Sequence, residues 1–181
     1  MSVPPEFVGA WRRVGLTLDG TRLVDYCDVL WLQTPTWFAD MRLRLVRDDA
    51  VPADGVPDWF YARAAFAGIS RWSPPRMTWE HALDFDHSVP PGSNLLRFAD
   101  GVMVEEGLTP VGGQQTAFTE EWLRLTTDDV SCSVTAGDGH ARIGIGRWAI
   151  ELRDERPGGA FSATRFELID GGWTPTGHLP G

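Results

Sequence analysis

Short runs in which apolar and polar residues alternate, each cut off by a glycine or proline cluster, recur from one end of this chain to the other. Successive side chains of a strand point to opposite faces, so such runs fit half-buried strands and not helices. Phe7 to Leu18, Leu23 to Gln33, Trp37 to Val46, Ala65 to Trp72, Arg76 to Phe85, Leu95 to Phe98, Val102 to Gly107, Ala117 to Thr126, Val130 to Thr135, His140 to Arg153 and Ser162 to Asp170 read as strands. Asp19-Gly20 and Gly137-Asp138-Gly139 are hairpin signals, because an Asp-Gly pair suits a left-handed turn. Thr34-Pro35 and Ser73-Pro74-Pro75 interrupt neighbouring runs, and the 20 Gly and 13 Pro fall mainly between runs, as many short strands require. Arg47 to Asp58 reads as an acidic exposed loop leading into one short helical turn around Trp59 to Ala64. Asp86 to Ser93 reads as a second loop and Gly171 to Gly181 as a partly mobile tail. No stretch carries a convincing amphipathic helix, an internal repeat or a low-complexity tract.

Strands that follow one another along a chain usually neighbour one another in a sheet. A long meander leaves two sticky edges unless it closes on itself. The expected fold is therefore all-β, a closed antiparallel meander barrel of about ten strands, with a β-sandwich as the alternative. The 181 residues fit one domain, residues 1–181, long enough to bury a substantial core.

Gly9-Ala10-Trp11 on the first strand resembles the Gly-x-Trp signature of the lipocalin-like barrel superfamily, in which the tryptophan packs across the closed end of the barrel. Trp11 is assigned to the core on this ground and on its size. Further along, Ala65-Phe66-Ala67-Gly68, Val104-Glu105-Glu106-Gly107, Phe118-x-Glu120-x-Trp122 and Ile145-Gly146-Arg147-Trp148 follow in this order. Together, between residues 60 and 150, they resemble the yeast Hri family, which is built on lipocalin-like β-barrels. The resemblance implies a lipocalin-like barrel and no established catalytic activity. The fungal protein is longer, so no partner carries over.

Charge narrows the partners. A formal net charge of −9 with no basic stripe argues against nucleic acid and against anionic membranes. Every positive charge is Arg, which excludes Schiff-base lysines and a P-loop lysine. No apolar run is long enough to span a membrane, and the N-terminus lacks the charged-then-apolar pattern of a signal region. A cytoplasmic location with Cys27 and Cys132 reduced is the expectation, and homo-oligomerisation is left open. Nine Trp and nine Phe against two Tyr give more apolar aromatic surface than a core alone requires. A ligand cavity would take the remainder.

Alternation gathers a candidate site. Phe118, Glu120, Trp122 and Arg124 share one face of their strand, and Phe38, Asp40, Arg42 and Arg44 share one face of theirs. Charge mixed with aromatics fits a barrel interior that holds a ligand. Arg42 is a candidate anion clamp, because its fork matches a carboxylate. In the structural reading Glu120 is its buried partner. Trp79, His81, Leu83 and Phe85 share a further face. His81 is a candidate general acid or base, oriented by Glu106 or Glu120, against the plainer reading of a packed, hydrogen-bonded histidine. The assigned site is thus His81 and Glu120 as a catalytic pair, with Asp40, Arg42, Trp79, Glu106 and Trp122 as ligand contacts.

Other constellations carry less. His81, Asp84, Asp86 and His87 are metal-ligand types. A regular strand puts His81 and Asp84 on opposite faces, so no metal is assigned. Glu105 and Glu106 also face opposite sides and form no ready-made carboxylate pair. The chain has no Gly-x-Ser-x-Gly, no His-Glu-x-x-His and no glycine-rich phosphate loop. Gly144-Ile145-Gly146 lacks the third glycine and a following helix, and no cofactor is expected. Cys27, on a face with Val29, Trp31 and Gln33, is expected to be inert.

Three functions follow. The first is binding of a small hydrophobic or amphipathic molecule in the barrel. The second is an acid–base enzyme, an isomerase, cyclase or hydrolase, using the same cavity. The third is a protein-interaction module with a filled barrel. An open cavity with perturbed ionisable groups would favour the enzyme, and a polar-free cavity simple binding.

Overall fold

The computed structural model describes residues 1–46, 60–85, 92–127 and 130–180. Nine strands come first: β1 (Gly9–Leu18), β2 (Thr21–Arg22), β3 (Cys27–Gln33), β4 (Trp37–Arg44), β5 (Ala64–Ser73), β6 (Arg76–Asp84), β7 (Ser93–Ala99), β8 (Val102–Val111) and β9 (Gln114–Arg124). All pair antiparallel with their chain neighbours, except that β1 carries both β2 and β3. β1 also pairs with β9, from Trp11↔Arg124 to Leu18↔Phe118. This contact closes an eight-stranded lipocalin-like barrel, with the two-residue β2 as an extra strand on β1. Asp19 and Gly20, at φ 47° and 74°, form the left-handed turn expected of them.

The barrel is complete at β9, and the rest of the chain forms a second antiparallel meander sheet. Its strands are β10 (Cys132–Gly137), β11 (His140–Ile145), β12 (Trp148–Asp154), β13 (Phe161–Ile169) and β14 (Gly172–Leu179). Two sequence readings need correction here. His140 to Arg153 is not one strand, because Gly146, at φ 57°, turns the chain and pairs Ile145 with Trp148. Gly171 to Gly181 is not a loose tail: up to Leu179 it is an edge strand, paired to β13 and ending on a buried Leu179. Its proline and glycines suit an edge, where one side of the ladder is unpaired. The loop read at Arg47 to Asp58 lies outside the described residues, as does most of the one at Asp86 to Ser93. The helical turn read at Trp59 to Ala64 is described only from Phe60, and Ala64 already opens β5.

The second sheet covers the outside of the barrel. Ala141, Ile143, Ile145, Ile150, Leu152 and Phe161 pack on Leu30, Leu32, Ala39, Met41, Ala65 and Ala67. The small Ala39, Ala65 and Ala67 let the two layers approach closely. β3, β4 and β5 are therefore buried on both faces over most of their length. Arg165 joins the layers through Asp28 at 2.8 Å, and Arg156 donates to the carbonyl oxygen of Asp84 at 2.8 Å.

One end of the barrel is plugged. A short 3-10 turn, Pro5–Phe7, crosses it, and the Trp11 indole N–H donates to the Phe7 carbonyl at 3.0 Å. Phe7 stacks on Phe98 at 5.3 Å, and the Arg124 guanidinium lies 4.8 Å from the Trp11 ring. Trp11 is 1% exposed, as its place on the first strand leads one to expect.

Candidate functional site

Inside the barrel, between the plug and the far end, lies a cavity of about 490 Å³, within the ~300–1,000 Å³ range of small-molecule sites. Its walls are aromatic: Trp31 from β3, Phe38 from β4, Phe66 from β5, Trp79 from β6, and Phe118 and Trp122 from β9. Trp31 is the hub, edge-on to Trp79 at 5.7 Å and to Trp122 at 5.2 Å. Its indole N–H is buried with no hydrogen-bond partner among the described residues. β7 pairs with β6 only over Arg76 to Thr78. Among the described residues no strand lies between the rest of β6 and Gly107 to Val111 of β8. Gly92, Ser93, Asn94, Gly107 and Leu108 border the cavity on that side.

The interior is also charged, and the pairing differs from the sequence reading. Glu120 is bonded to Arg13, not to Arg42: Arg13 Nη1 lies 2.6 Å from Glu120 Oε1. The same guanidinium grips Asp25 through two bonds, at 2.7 and 2.8 Å. Burial opposes the charge on Arg13, but Glu120 and Asp25 outweigh it and hold the proton more firmly than usual. Arg42 pairs with Asp40 two residues away, Nε to Oδ1 at 2.9 Å. Both are buried, and burial pushes the Asp40 carboxyl up against the pull of Arg42. Arg42 is thus already engaged by a carboxylate of its own strand and is no open anion clamp.

Glu105 is the residue that the sequence reading passed over. It stands directly across from Glu120 in the β8–β9 ladder, and both side chains face the cavity. Its carboxyl accepts from Asn94 Nδ2 at 2.7 Å and from the Trp122 indole at 3.2 Å. Burial, reinforced by the charge of Glu120, pushes Glu105 up to about 8, so it is a neutral acid at pH 7. Glu120 is bonded to the Arg13 guanidinium, whereas Glu105 is held by the neutral donors of Asn94 and Trp122. Glu106, assigned to the site from sequence, reaches only the rim, and its carboxylate accepts from Arg97 at 2.6 Å.

His81 and Asp84 are brought together by a bulge. Gly68 pairs with His81 and Ala67 with Leu83, so Ala82 is an extra residue in β6. A bulge resets the alternation. Asp84 therefore turns inward beside His81, with Asp84 Oδ2 2.5 Å from Nδ1. Leu83 joins the outer core, so the face read as Trp79, His81, Leu83 and Phe85 breaks after His81. Gly68 is needed here because a Cβ would come within 1.9 Å of the Glu80 carbonyl oxygen. The imidazole stacks on Phe66 at 4.4 Å and lines the cavity, and its Nε2 has no hydrogen-bond partner among the described residues. Its orienting carboxylate is Asp84, not Glu106 or Glu120.

Of the residues assigned from sequence, Asp40, Arg42, Trp79, His81, Glu120 and Trp122 meet at this one cavity. Arg13, Asp84 and Glu105 were missed. Arg13 had a signal, since it lies two residues beyond Trp11 and shares its face. Glu105 and Asp84 depend on ladder register and on the bulge. Among the described residues no group of three His, Cys, Asp or Glu is placed to hold a metal ion, and no helix is long and apolar enough to cross a membrane. Comparison with protein-family models, with curated proteins and with solved structures finds no match to this chain.

Proposed function

We propose that the barrel takes up a small amphipathic molecule. The observation that carries this reading is an unfilled interior, about 490 Å³, where aromatic walls surround a few inward polar groups. Such a combination gives apolar area for affinity and fixed polar atoms for orientation. A filled interaction module would have closed this space with side chains. Kinship with the Hri family is part of the same proposal. Three of the four segments behind that resemblance supply cavity residues: Phe66, Glu105 and Gly107, and Phe118, Glu120 and Trp122.

A second reading, acid–base chemistry on the bound molecule, is favoured by one specific arrangement. Glu105 is a neutral acid and His81 is oriented by Asp84 with Nε2 unbonded among the described residues, so a carboxylic acid and an oriented imidazole line one cavity. Uptake precedes chemistry in either case. The test is titration with the neutral fluorophore 1-N-phenylnaphthylamine. Saturable one-to-one uptake, with energy transfer from Trp31, Trp79 and Trp122, is expected. Absence of saturable uptake would overturn the proposal.

A further inference from the structure

The cavity's own charges state which head group it accepts. Among the described residues four carboxyls, Asp40, Glu105, Glu106 and Glu120, line it against two guanidiniums, Arg42 and Arg76; at the rim Glu106 is paired to Arg97 and Arg76 donates to the Ser93 carbonyl oxygen. Asp25 takes two bonds of Arg13, and Asp40 engages Arg42. Arg13 also bonds Glu120, so the cross-strand pair Glu105 and Glu120 has one guanidinium, shared with Asp25, between two carboxyls. Glu120 is 2% exposed, lines the cavity, and is bonded through Oε1 to Arg13. An anionic head would face both glutamates and would have to displace Asp40 from Arg42. A neutral head would leave the two carboxyls with Arg13 alone, which Asp25 also holds.

A cation satisfies each of these groups. The aromatic walls add to this independently, because the faces of Trp and Phe attract an ammonium through their quadrupoles. Trp122 stands next to the carboxyl pair, its indole bonded to Glu105, and Phe118 is two residues from Glu120 on the same face. The chain's net charge of −9 draws cations toward the protein as a whole.

We propose that the ligand is an amphipathic organic ammonium, its head held between Glu105 and Glu120 and its apolar body against Trp122, Trp79 and Phe118. This rests on the reading of the cavity as a small-molecule site. The proton balance follows. The amine enters in its protonated form, the Glu105 carboxyl gives its proton to solvent, and the carboxylate so formed pairs with the ammonium. The groups that face Glu105 and set this exchange are Glu120 and Trp122 on β9, Asn94 on β7, and Asp40 and Arg42 on β4. Among the described residues His81 and Arg76 on β6, Glu106 on β8 and Arg13 on β1 add to the charged surroundings.

The experiment uses three probes of one shape: 2-(naphthalen-1-yl)ethylamine, 2-(naphthalen-1-yl)ethanol and naphthalen-1-ylacetate. Each is titrated into the full chain by calorimetry at pH 7, in two buffers of different ionisation enthalpy. The amine is expected to bind at least about tenfold more tightly than the alcohol, as one well-placed charge contact gives. The acetate is expected to be weakest, and only the amine should release a proton. Glu105→Gln, which keeps the side chain's shape, should bring the amine down to the alcohol's affinity and abolish proton release. Equal binding of alcohol or acetate would overturn the ammonium proposal and leave the amphipathic site standing. So would an unaltered amine affinity in Glu105→Gln. Failure of all three probes, together with failure of the neutral fluorophore, would overturn both.

Discussion

Glu105→Gln should make the protein more stable in mild alkali, by an amount the structure sets. Glu105 is 7% exposed, faces Glu120 across the β8–β9 ladder, and titrates at about 8 where an ordinary glutamate titrates at 4.5. Between those values the native chain keeps a proton that the unfolded chain has lost, so stability falls as pH rises. The slope is about 1.4 kcal/mol per pH unit, and over the whole window the loss reaches about 5 kcal/mol. Below the window both states are protonated, and above it both are ionised, so the loss then stays constant. Gln mimics the neutral acid, and Asn94 can rotate its amide to accept from the new N–H. Urea unfolding followed by tryptophan fluorescence should therefore find wild type and variant within about 1 kcal/mol at low pH. By about pH 8.5 the variant should lead by several kcal/mol. A difference that stays flat across the window would show that Glu105 ionises normally and would refute the account of the carboxyl pair.

Other consequences can be measured on the same footing. Arg13→Met strands buried Glu120 and half-buried Asp25 and should cost roughly 3–5 kcal/mol. Arg42→Met should cost less, because the Asp40 carboxyl it strands is already pushed by burial toward the neutral form; urea titrations giving the reverse order would contradict the pairing. Trp11→Ala removes the plug of the closed end and should cost roughly 3–5 kcal/mol in urea unfolding, and a loss below about 1 kcal/mol would place Trp11 outside the core. Gly68→Ala drives a methyl into the Glu80 carbonyl and should lower the melting temperature by the equivalent of roughly 1–3 kcal/mol or more; an unchanged melting temperature would mean that the bulge is misread. Cys132 is exposed and Cys27 buried with its thiol pushed up by burial, so Ellman's reagent should titrate one thiol in the native protein and the second only after unfolding.

Part of the site was legible because strand alternation is a local rule. Phe38, Asp40 and Arg42 share an inward face, as do Phe118, Glu120 and Trp122, and no long-range information is needed to see it. Reading failed where alternation is reset. The extra Ala82 turns Asp84 toward His81, and a register shift between Arg13 and Gly15 brings Leu16 inward after Arg13. A bulge inserts one residue and leaves no distinct mark in composition, so its position depends on the partner strand.

The sequence by itself determined the class of fold. Its alternating runs and glycine turns specify antiparallel hairpins in chain order, and Gly9-Ala10-Trp11 marked the strand that carries the plug. Only the tertiary structure decided where the meander closes. β1 pairs with β9, so the barrel has eight strands and the remaining five cover its outer wall. Only the tertiary structure, too, decided which charge meets which, setting Arg13 on Glu120 and Glu105 across from Glu120. The physical reason is range. Alternation and turn chemistry act between residues a few positions apart, whereas closure, register and ion pairing join residues about a hundred positions apart, and these are fixed only when the whole sheet has formed.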